Sequence, residues 1–382
     1  MSEIRFVGEK RFSWQQIVIA IVILLLVVSI AAASALLWET RDAEPKIDVS
    51  DAKTKPINLE LDTGTVYTHA TTDNKIFFYS VDNIKILSAE GMLEHDMPLK
   101  SSNPIISTDG TYALVSDKGG KTAHVFSGSK LEKTLTLEEN IIISKINSNG
   151  YSLFITKGDA HKNSAIVRSA TGEELFKWNS GSISVLSADI SDNNRDIAIS
   201  TLSTDGGVLT SNIYMFNITK DKPFTNDVVT DEIFAGIEFD GNYLYCIGAS
   251  KMLVYNSYGK CIETIDYEDR ELISYEIDNG TILLLFSDSS QNSNGSLIRA
   301  YSTKGVFEGE FALSSEARFF DSKGGTIAID NNRVISILDS KCREKYRLNI
   351  GTTLSDFRFI GSHSKAVGIT ATGAELIDVK NK

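Results

Sequence analysis

The chain opens with one long apolar segment and then alternates between short apolar runs and polar turns. Residues 17–37 contain no charged side chain. At about 1.5 Å per residue, a helix over this run would span roughly 30 Å, the thickness of a bilayer's hydrocarbon core. Trp14 and Trp38 flank the run, where indole rings favour the two membrane interfaces. The pattern predicts a transmembrane helix over 14–38, after a cytoplasmic tail over 1–13.

Two other interpretations of this segment stay open. Ala31, Ala33 and Ala35 could supply the small-residue site of a cleaved signal peptide, although the apolar run continues beyond them. A buried core helix is the other alternative. Lys10 and Arg11 lie close to the start of the run, which favours a cytoplasmic N-terminus and an extracytoplasmic C-terminal part. The expected location is the cell membrane, with a single span.

Beyond the apolar segment, residues 39–56 are rich in alternating charges and carry no apolar periodicity, which is typical of a linker. From residue 57 onward, short runs of Val, Ile, Leu, Phe and Tyr alternate with Gly, Asn, Asp and Ser turns. This alternation predicts many short β-strands. The globular part over 57–382 is therefore expected to be all-β.

Two series of turns repeat along the globular part at intervals of about 40 residues, the length of one four-stranded propeller blade. In the first series the polar turn precedes an apolar strand, and in the second it follows the next strand. The first series consists of Asn74, Gly110, Gly150, Asn194, Gly241, Gly280, Gly325 and Ser364. The second consists of Gly91, Gly128, Gly172, Lys220, Gly259, Gly305 and Lys341.

The numbers of turns predict an eight-bladed β-propeller of four-stranded antiparallel blades, with seven blades as the alternative. The last repeat lacks a fourth strand, and an extra apolar stretch at 57–61 precedes the first full repeat. Placing 57–61 in the last blade would close the ring. Closure removes two exposed sheet edges, which otherwise pair with other chains.

Composition and charge exclude several classes of function. The net charge of −12 opposes binding to phosphate backbones, so no nucleic-acid partner is expected. Three cysteines without regular spacing indicate neither a disulfide framework nor a zinc site, and no cofactor is expected. Residues 192–196 resemble the start of a calcium loop, but they also coincide with a repeat turn, where Asp and Asn are common.

The pattern resembles the quinoprotein-like and WD-like group of propellers. The segment ATGEELFKW at 170–178 is similar to the strand-end motif of quinoprotein repeats. The whole layout, with a short basic tail, an anchor, a charged linker and turns such as YNSYGK and RSATGE, resembles an uncharacterised family of membrane-anchored propellers from Gram-positive bacteria. This resemblance implies the fold and the location, and it implies no activity.

Loops of unequal length suggest where a partner would bind. The connections between second and third strands are long at 157–164, 201–211 and 287–296, and in repeat proteins such insertions often mark the binding face. The candidate partner-binding residues in these loops are Asp159, His161, Asp205, Asp288, Asn292 and Asn294. The expected function is a non-enzymatic scaffold for a protein or envelope partner.

The alternative is a propeller that binds a small molecule, or acts as an enzyme, through its central channel. Charged or histidine residues that converge at equivalent positions of the innermost strands would favour it. The innermost strands read as mostly apolar, for example at Ile141, Ile142 and Ile143, and this favours the scaffold.

Overall fold

The computed structural model describes residues 47–57, 59, 67–205, 207–288 and 295–379. The predicted tail at 1–13, the predicted span at 14–38 and most of the predicted linker lie outside these residues. Within the part of the chain that is described, no helix has the length and apolarity needed to cross a membrane.

The described residues form β-strands joined by turns and short connections. Two strands precede the repeats: β1 (Asp48–Asp51) and β2 (Lys53–Ile57). Blade 1 contains β3 (Thr68–Thr71), β4 (Lys75–Tyr79), β5 (Asn83–Ser88) and β6 (Leu93–Pro98), and blade 2 contains β7 (Pro104–Asp109), β8 (Tyr112–Asp117), β9 (Thr122–Ser127) and β10 (Lys130–Thr136). Blade 3 contains β11 (Asn140–Ile146), β12 (Ser152–Lys157), β13 (Ser164–Arg168) and β14 (Glu174–Asn179), and blade 4 contains β15 (Ser184–Ile190), β16 (Asp196–Asp205), β17 (Val208–Asn217) and β18 (Thr225–Thr230). Blade 5 contains β19 (Gly236–Asp240), β20 (Tyr243–Ile247), β21 (Lys251–Asn256) and β22 (Cys261–Asp266), and blade 6 contains β23 (Leu272–Asp278), β24 (Thr281–Asp288), β25 (Gly295–Ser302) and β26 (Phe307–Leu313). Blade 7 contains β27 (Phe320–Lys323), β28 (Thr326–Asn331), β29 (Val334–Asp339) and β30 (Glu344–Asn349), and blade 8 contains β31 (Leu354–Ile360), β32 (Ser362–Thr370) and β33 (Gly373–Asp378).

These strands form eight antiparallel sheets within the described residues, one for each predicted blade. The first strands of neighbouring blades contact one another from β3 through β31 and back to β3, so the sheets close into a ring. The prediction of an eight-bladed propeller is confirmed, and the seven-bladed alternative is excluded.

Burial differs with the position of a strand in its blade. The second and third strands are buried on both faces: residues 76–79 of β4 and 152–156 of β12 are all buried. The fourth strands are mostly exposed, as in β6 and β10. Because a central strand lies between two neighbouring blades, it reads as a continuous apolar run, whereas a peripheral strand tolerates charge.

The hydrophobic core consists of eight apolar clusters among the described residues, one at each interface between neighbouring blades. Phe77 of blade 1 packs near Phe126 of blade 2, with ring centroids 6.0 Å apart. Blades 8 and 1 share a cluster that contains Phe78, Val367 and Ile57 of β2. Burial of apolar area therefore depends on contacts between blades, and each blade needs two neighbours.

The strand that completes blade 8 is β2, which pairs antiparallel with β33 from Lys53↔Asp378 to Ile57↔Ala374. The sequence pattern predicts this strand at 57–61, and the structure corrects its position to four residues earlier. The error has a physical reason. An outermost strand exposes most of its side chains, so the polar sequence KTKPI reads as a linker. Pro56 is tolerated there because an edge strand needs no further ladder partner. Strand β1 adds a fifth strand to blade 7 beside β30.

Closure by β2 predicts a difference between two truncated chains. A chain that begins at residue 52 loses β1 only, whereas a chain that begins at residue 58 also loses β2. The second loss removes five paired residues and the buried side chain of Ile57. Backbone hydrogen bonds contribute about 1 kcal/mol each, and truncation of a buried aliphatic side chain costs about 2–5 kcal/mol. We expect the chain from 58 to unfold at a much lower urea concentration than the chain from 52. Equal midpoints for the two chains would contradict closure by β2.

Candidate functional site

The innermost strands place one residue of each blade at an equivalent position around the propeller axis. Each of these residues lies opposite a second-strand residue whose side chain faces the next blade. In chain order the eight positions are Ala70, Ser107, Lys145, Asp189, Glu238, Glu276, Asp321 and Arg358. We call this set the axial ring. Blades 4 to 7 contribute four consecutive carboxylates to it, and a cation stands at either end of that run.

Several ring residues bond to the next blade. The backbone N–H of Phe239 in blade 5 donates to Asp189 Oδ2 at 2.8 Å. Ser322 N donates to Glu276 Oε1 at 3.2 Å, and Phe359 N donates to Asp321 Oδ2 at 2.5 Å. In each case the donor is the residue directly after the ring position of the next blade. These bonds fix the register of neighbouring innermost strands, so part of the ring is structural.

A cation network compensates one end of the acidic run. Arg358 Nη1 lies 3.2 Å from Asp321 Oδ1, and Arg358 Nε lies 3.3 Å from Asp356 Oδ2. Asp356 Oδ2 is also 2.8 Å from His69 Nε2 of blade 1. Although burial opposes it, the pKa of Asp356 is lowered by its hydrogen bond to His69 and by the charge of Arg358. Blades 7, 8 and 1 are thus joined by contacts between polar side chains.

The ring borders an axial cavity of about 400 Å³. It lies among the turns between first and second strands, including Asp73, Gly110 and Gly241, and its walls are mainly polar. The carboxylates that line it are Asp73, Asp109, Asp189, Asp192, Glu238, Asp240, Glu276, Asp278 and Asp321. Lys145 and Lys323 are the lysines in the lining. Nine carboxylates against two lysines give the cavity a strongly negative formal charge.

Burial and mutual repulsion hold several of these carboxyl groups partly protonated. Desolvation, followed by the negative charges of Asp192 and Asp189, raises the pKa of Asp109 to about 7. Desolvation and the charge of Asp189 raise the pKa of Glu238 to about 8, against the opposing effect of Lys145. Desolvation also raises the pKa of Asp321 to about 7, although Arg358 opposes it. The cavity therefore holds carboxyl groups that titrate near neutral pH.

Two buried polar atoms in the cavity lining have no hydrogen-bond partner among the described residues. One is Oδ2 of Asp278, and the other is Oγ of Ser322, a residue whose exposed fraction is 6%. A buried polar atom without a partner costs free energy, typically about 1–3 kcal/mol. The lining thus offers acceptor positions that the protein itself does not use.

The acidic residues do not form a ready metal site: within the described chain, no three His, Cys, Asp or Glu side chains are grouped to hold a metal ion. In the segment 192–196, Asp192 Oδ1 accepts hydrogen bonds from the backbone N–H and the hydroxyl of Ser148. Asn193 Oδ1 accepts from the N–H of Asp196, and Asn194 has a left-handed φ of 61°. These are the bonds of a turn and of a contact between blades 3 and 4.

The three sequence-predicted stretches all connect a second strand to a third strand, and such connections all leave the same end of a blade, so the described ends of these stretches lie at one face. Asp159 is exposed and His161 is half-buried in the connection of blade 3. The stretch 201–211 is not a loop but the end of a long hairpin, in which Asp205 pairs with Val208. Asp288 pairs with Gly295 in blade 6, while Asn292 and Asn294 lie outside the described residues. The axial cavity lies at the opposite face.

The interpretation of the innermost strands as mostly apolar is corrected by the axial ring. Ile141 is buried, and Ile142 and Ile143 pack against a core cluster, but the charge lies nearer the turn. A usable signal was present in the sequence: carboxylates precede the first-series turn in ADISDNN, IEFDG, EIDNG and FDSKG. The residue types that favour channel binding therefore do converge at equivalent positions.

Comparisons with known proteins agree with this architecture. The model of a family described as "Family of unknown function (DUF5711)" matches residues 52–379. No curated protein matches the chain. The C-terminal WD40 domain of Sif2 aligns with a TM-score of 0.56 and 10% identity, over 87% of this chain and 100% of that one. Hsv2 of Kluyveromyces lactis aligns with a TM-score of 0.52 and 12% identity, over 74% of this chain and 95% of that one. A chain of the mitotic checkpoint complex aligns with a TM-score of 0.51 and 9% identity, over 89% of this chain and 94% of that one. At these identities the likeness shows a WD40-like propeller fold.

The raised pKa values predict how stability varies with pH. The folded pKa of Glu238 is about 8, and its ordinary value is 4.5, so the folded protein keeps a proton that the unfolded chain releases between these values. Stability therefore decreases as pH rises from about 5 to about 8, by at most about 1.4 kcal/mol per pH unit for each such group. We expect Glu238→Gln to reduce this slope in urea unfolding. Glu308→Gln, at an exposed carboxylate outside the cavity, should leave it unchanged. If the stability of the native protein increased with pH over this range, the result would contradict the raised pKa values.

Proposed function

The chain belongs to the DUF5711 family of unknown function, and we propose that its propeller is a membrane-anchored, extracytoplasmic scaffold that binds a protein or envelope partner and performs no catalysis. The closed propeller supports a binding role, because its rigid ring holds surface elements of eight blades in fixed positions. The anchor is proposed from the apolar run at 17–37 and its flanking tryptophans.

One observation carries the choice of binding face: the hairpin of β16 and β17 in blade 4. Both strands have ten residues, whereas β20 and β21 of the neighbouring blade 5 have five and six. Pairing continues without a break from Asp196↔Asn217 to Asp205↔Val208. The exposed fraction of Val208 at the tip is 44%. A paired, rigid extension with an exposed apolar tip loses little conformational freedom when a partner binds it.

A second candidate function is binding of a small ligand in the axial cavity, on the opposite face. The observation that favours it is the concentration of nine carboxylates, two of them with pKa values near 7 and one near 8, around a space of about 400 Å³. Perturbed carboxyl groups that converge in a cavity are typical of functional sites.

Shortening the hairpin tests the scaffold proposal. We would replace 204–209 by Asn-Gly, which keeps the Ser203↔Thr210 pair and supplies a tight turn. The variant should fold with nearly unchanged stability, because the removed residues lie beyond the blade core. Partner recovery by affinity capture from solubilised membranes should fall at least about tenfold, a loss of about 1.4 kcal/mol of binding free energy.

The matched control for that variant is Tyr258→Ala, which removes a side chain with an exposed fraction of 86% from a turn on the opposite face. It should capture the same partners as the native protein. A folded hairpin variant that captures partners at the native level would show that this face is not the binding face.

The proposed topology is tested with a protease added to intact, wall-stripped cells. We expect digestion of the propeller and protection of the residues before the apolar run, because the domain would lie outside the membrane. A protein that is digested only after lysis would have the opposite orientation.

A further inference from the structure

We propose that the axial cavity binds a multiply charged alkylammonium ligand, either a free linear polyamine or the clustered lysine side chains of a partner. The ligand would lie against the carboxylates of blades 4 to 7. This inference deepens the second candidate function above, and it does not depend on the hairpin face.

The negative charge of the axial ring is one-sided. The acidic run of the axial ring extends over four consecutive blades, while blades 1 and 2 contribute Ala70 and Ser107. Nearer the turns, Asp240 and Asp278 add further carboxylates from blades 5 and 6, and Asp109 adds one from blade 2. A ligand with several positive charges along its length can compensate several of these groups at once, which a single charge cannot do.

The acidity exceeds what the blade contacts need. In blade 2 the neutral hydroxyl of Ser107 accepts a hydrogen bond from the backbone N–H of Ile146 at 3.2 Å. This is the same contact between blades that Asp189 and Glu276 make with their carboxylates. Because a serine suffices for the contact, the negative charge of the acidic run requires another explanation.

Glu238 is the clearest case. Its carboxyl group accepts no hydrogen bond from any described residue, in contrast to its ring neighbours Asp189 and Glu276. Glu238 lines the cavity and is half-buried, so it borders the space that a ligand would occupy. A carboxylate that stabilises neither its own blade nor the next is available to a cationic ligand.

The buried atoms without partners give an independent indication of a ligand. Oγ of Ser322, in a residue with 6% exposure, and Oδ2 of Asp278 both belong to residues that line the cavity. Both atoms can accept hydrogen bonds. An ammonium group carries up to three N–H donors, so it would satisfy such acceptors while neutralising the carboxylates near them.

An organic cation fits the site better than an inorganic one. A volume of about 400 Å³ far exceeds a single metal ion, and no three metal-binding side chains are grouped among the described residues. Metal ions need several ligands at about 2.0–2.6 Å. In this ring, Asp189, Glu276 and Asp321 each have one carboxylate oxygen that already accepts a hydrogen bond from a backbone N–H of the next blade. Donors spread along an alkyl chain can reach separated acceptors without rearranging the ring.

Titration calorimetry of the full-length protein in detergent micelles tests the proposal. Spermidine would be added at about pH 8 and roughly 50 mM salt, where screening is moderate. We expect saturable binding that Glu238→Gln weakens by about tenfold, equal to about 1.4 kcal/mol. Asp278→Asn should also weaken it. Glu308→Gln, outside the cavity, should bind spermidine like the native protein. Melting curves of each variant show that it is folded.

Parallel titrations with a trilysine peptide and with Ca²⁺ distinguish the sources of the cation. Glu238-dependent binding of spermidine supports a free polyamine, and Glu238-dependent binding of the peptide alone supports the lysines of a partner. Binding of Ca²⁺ without either amine would overturn the proposal, as would no binding of any of the three. Amine binding that is equally strong in Glu238→Gln would also overturn it, because such binding is attraction to the acidic surface in general.

Proton release provides a second readout. Because carboxyl groups in the cavity titrate near neutral pH, an ammonium ligand should displace protons at about pH 7, and the apparent binding enthalpy should vary with the ionisation enthalpy of the buffer. Absence of this dependence would place the amine outside the cavity. Failure of these tests would leave partner capture through the hairpin unaffected, so the two proposals can fail separately.

Discussion

Every blade of this propeller buries its two central strands only if it has a neighbour on each side. Strands such as β12 and β24 are apolar on both faces, and their side chains fill the clusters at both adjacent interfaces. A single open interface would expose one face of two blades at once. The stability of the whole ring therefore depends on its last contact, the pairing of β2 with β33 and the cluster around Ile57. Because that strand comes from the beginning of the globular part, the two ends of the domain are tied together.

Closure has an electrostatic consequence at the axis. It brings the first strands of all eight blades together, so residues that are about 40 positions apart in sequence become neighbours. The structure accommodates the resulting charges by backbone N–H donors from the next blade and by the cations Lys145 and Arg358. The raised pKa values of Glu238 and Asp109 show that this compensation is incomplete. Additional positive charge beside these carboxyl groups would favour their ionised form at neutral pH.

The sequence was sufficient to predict the elements that depend on local physics. Tight turns require residues that tolerate left-handed φ, and Gly110, Asn194 and Gly241 have φ of 54°, 61° and 57° at the predicted positions. The number of blades follows from those turns. The predicted position of the closing strand is four residues too late, because a peripheral strand has no apolar periodicity to mark it. The stretch 201–211 is rich in Ser, Thr and Gly, and this composition predicts a loop, whereas in the structure ten consecutive pairs join β16 and β17.

The axial cavity could not be predicted in the same way, because its chemistry depends on contacts between blades. In sequence, Glu238 and Glu276 are carboxylates before separate turns, and only the ring places them beside Asp189 and Asp321. Insertions in loops reveal a binding site that is built from loops, as on the hairpin face. A site built from the ends of strands needs no insertion, since eight blades of normal length already enclose it. For a closed repeat fold, side-chain chemistry at equivalent innermost positions is therefore a separate signal from loop length, and here the two signals indicate opposite faces.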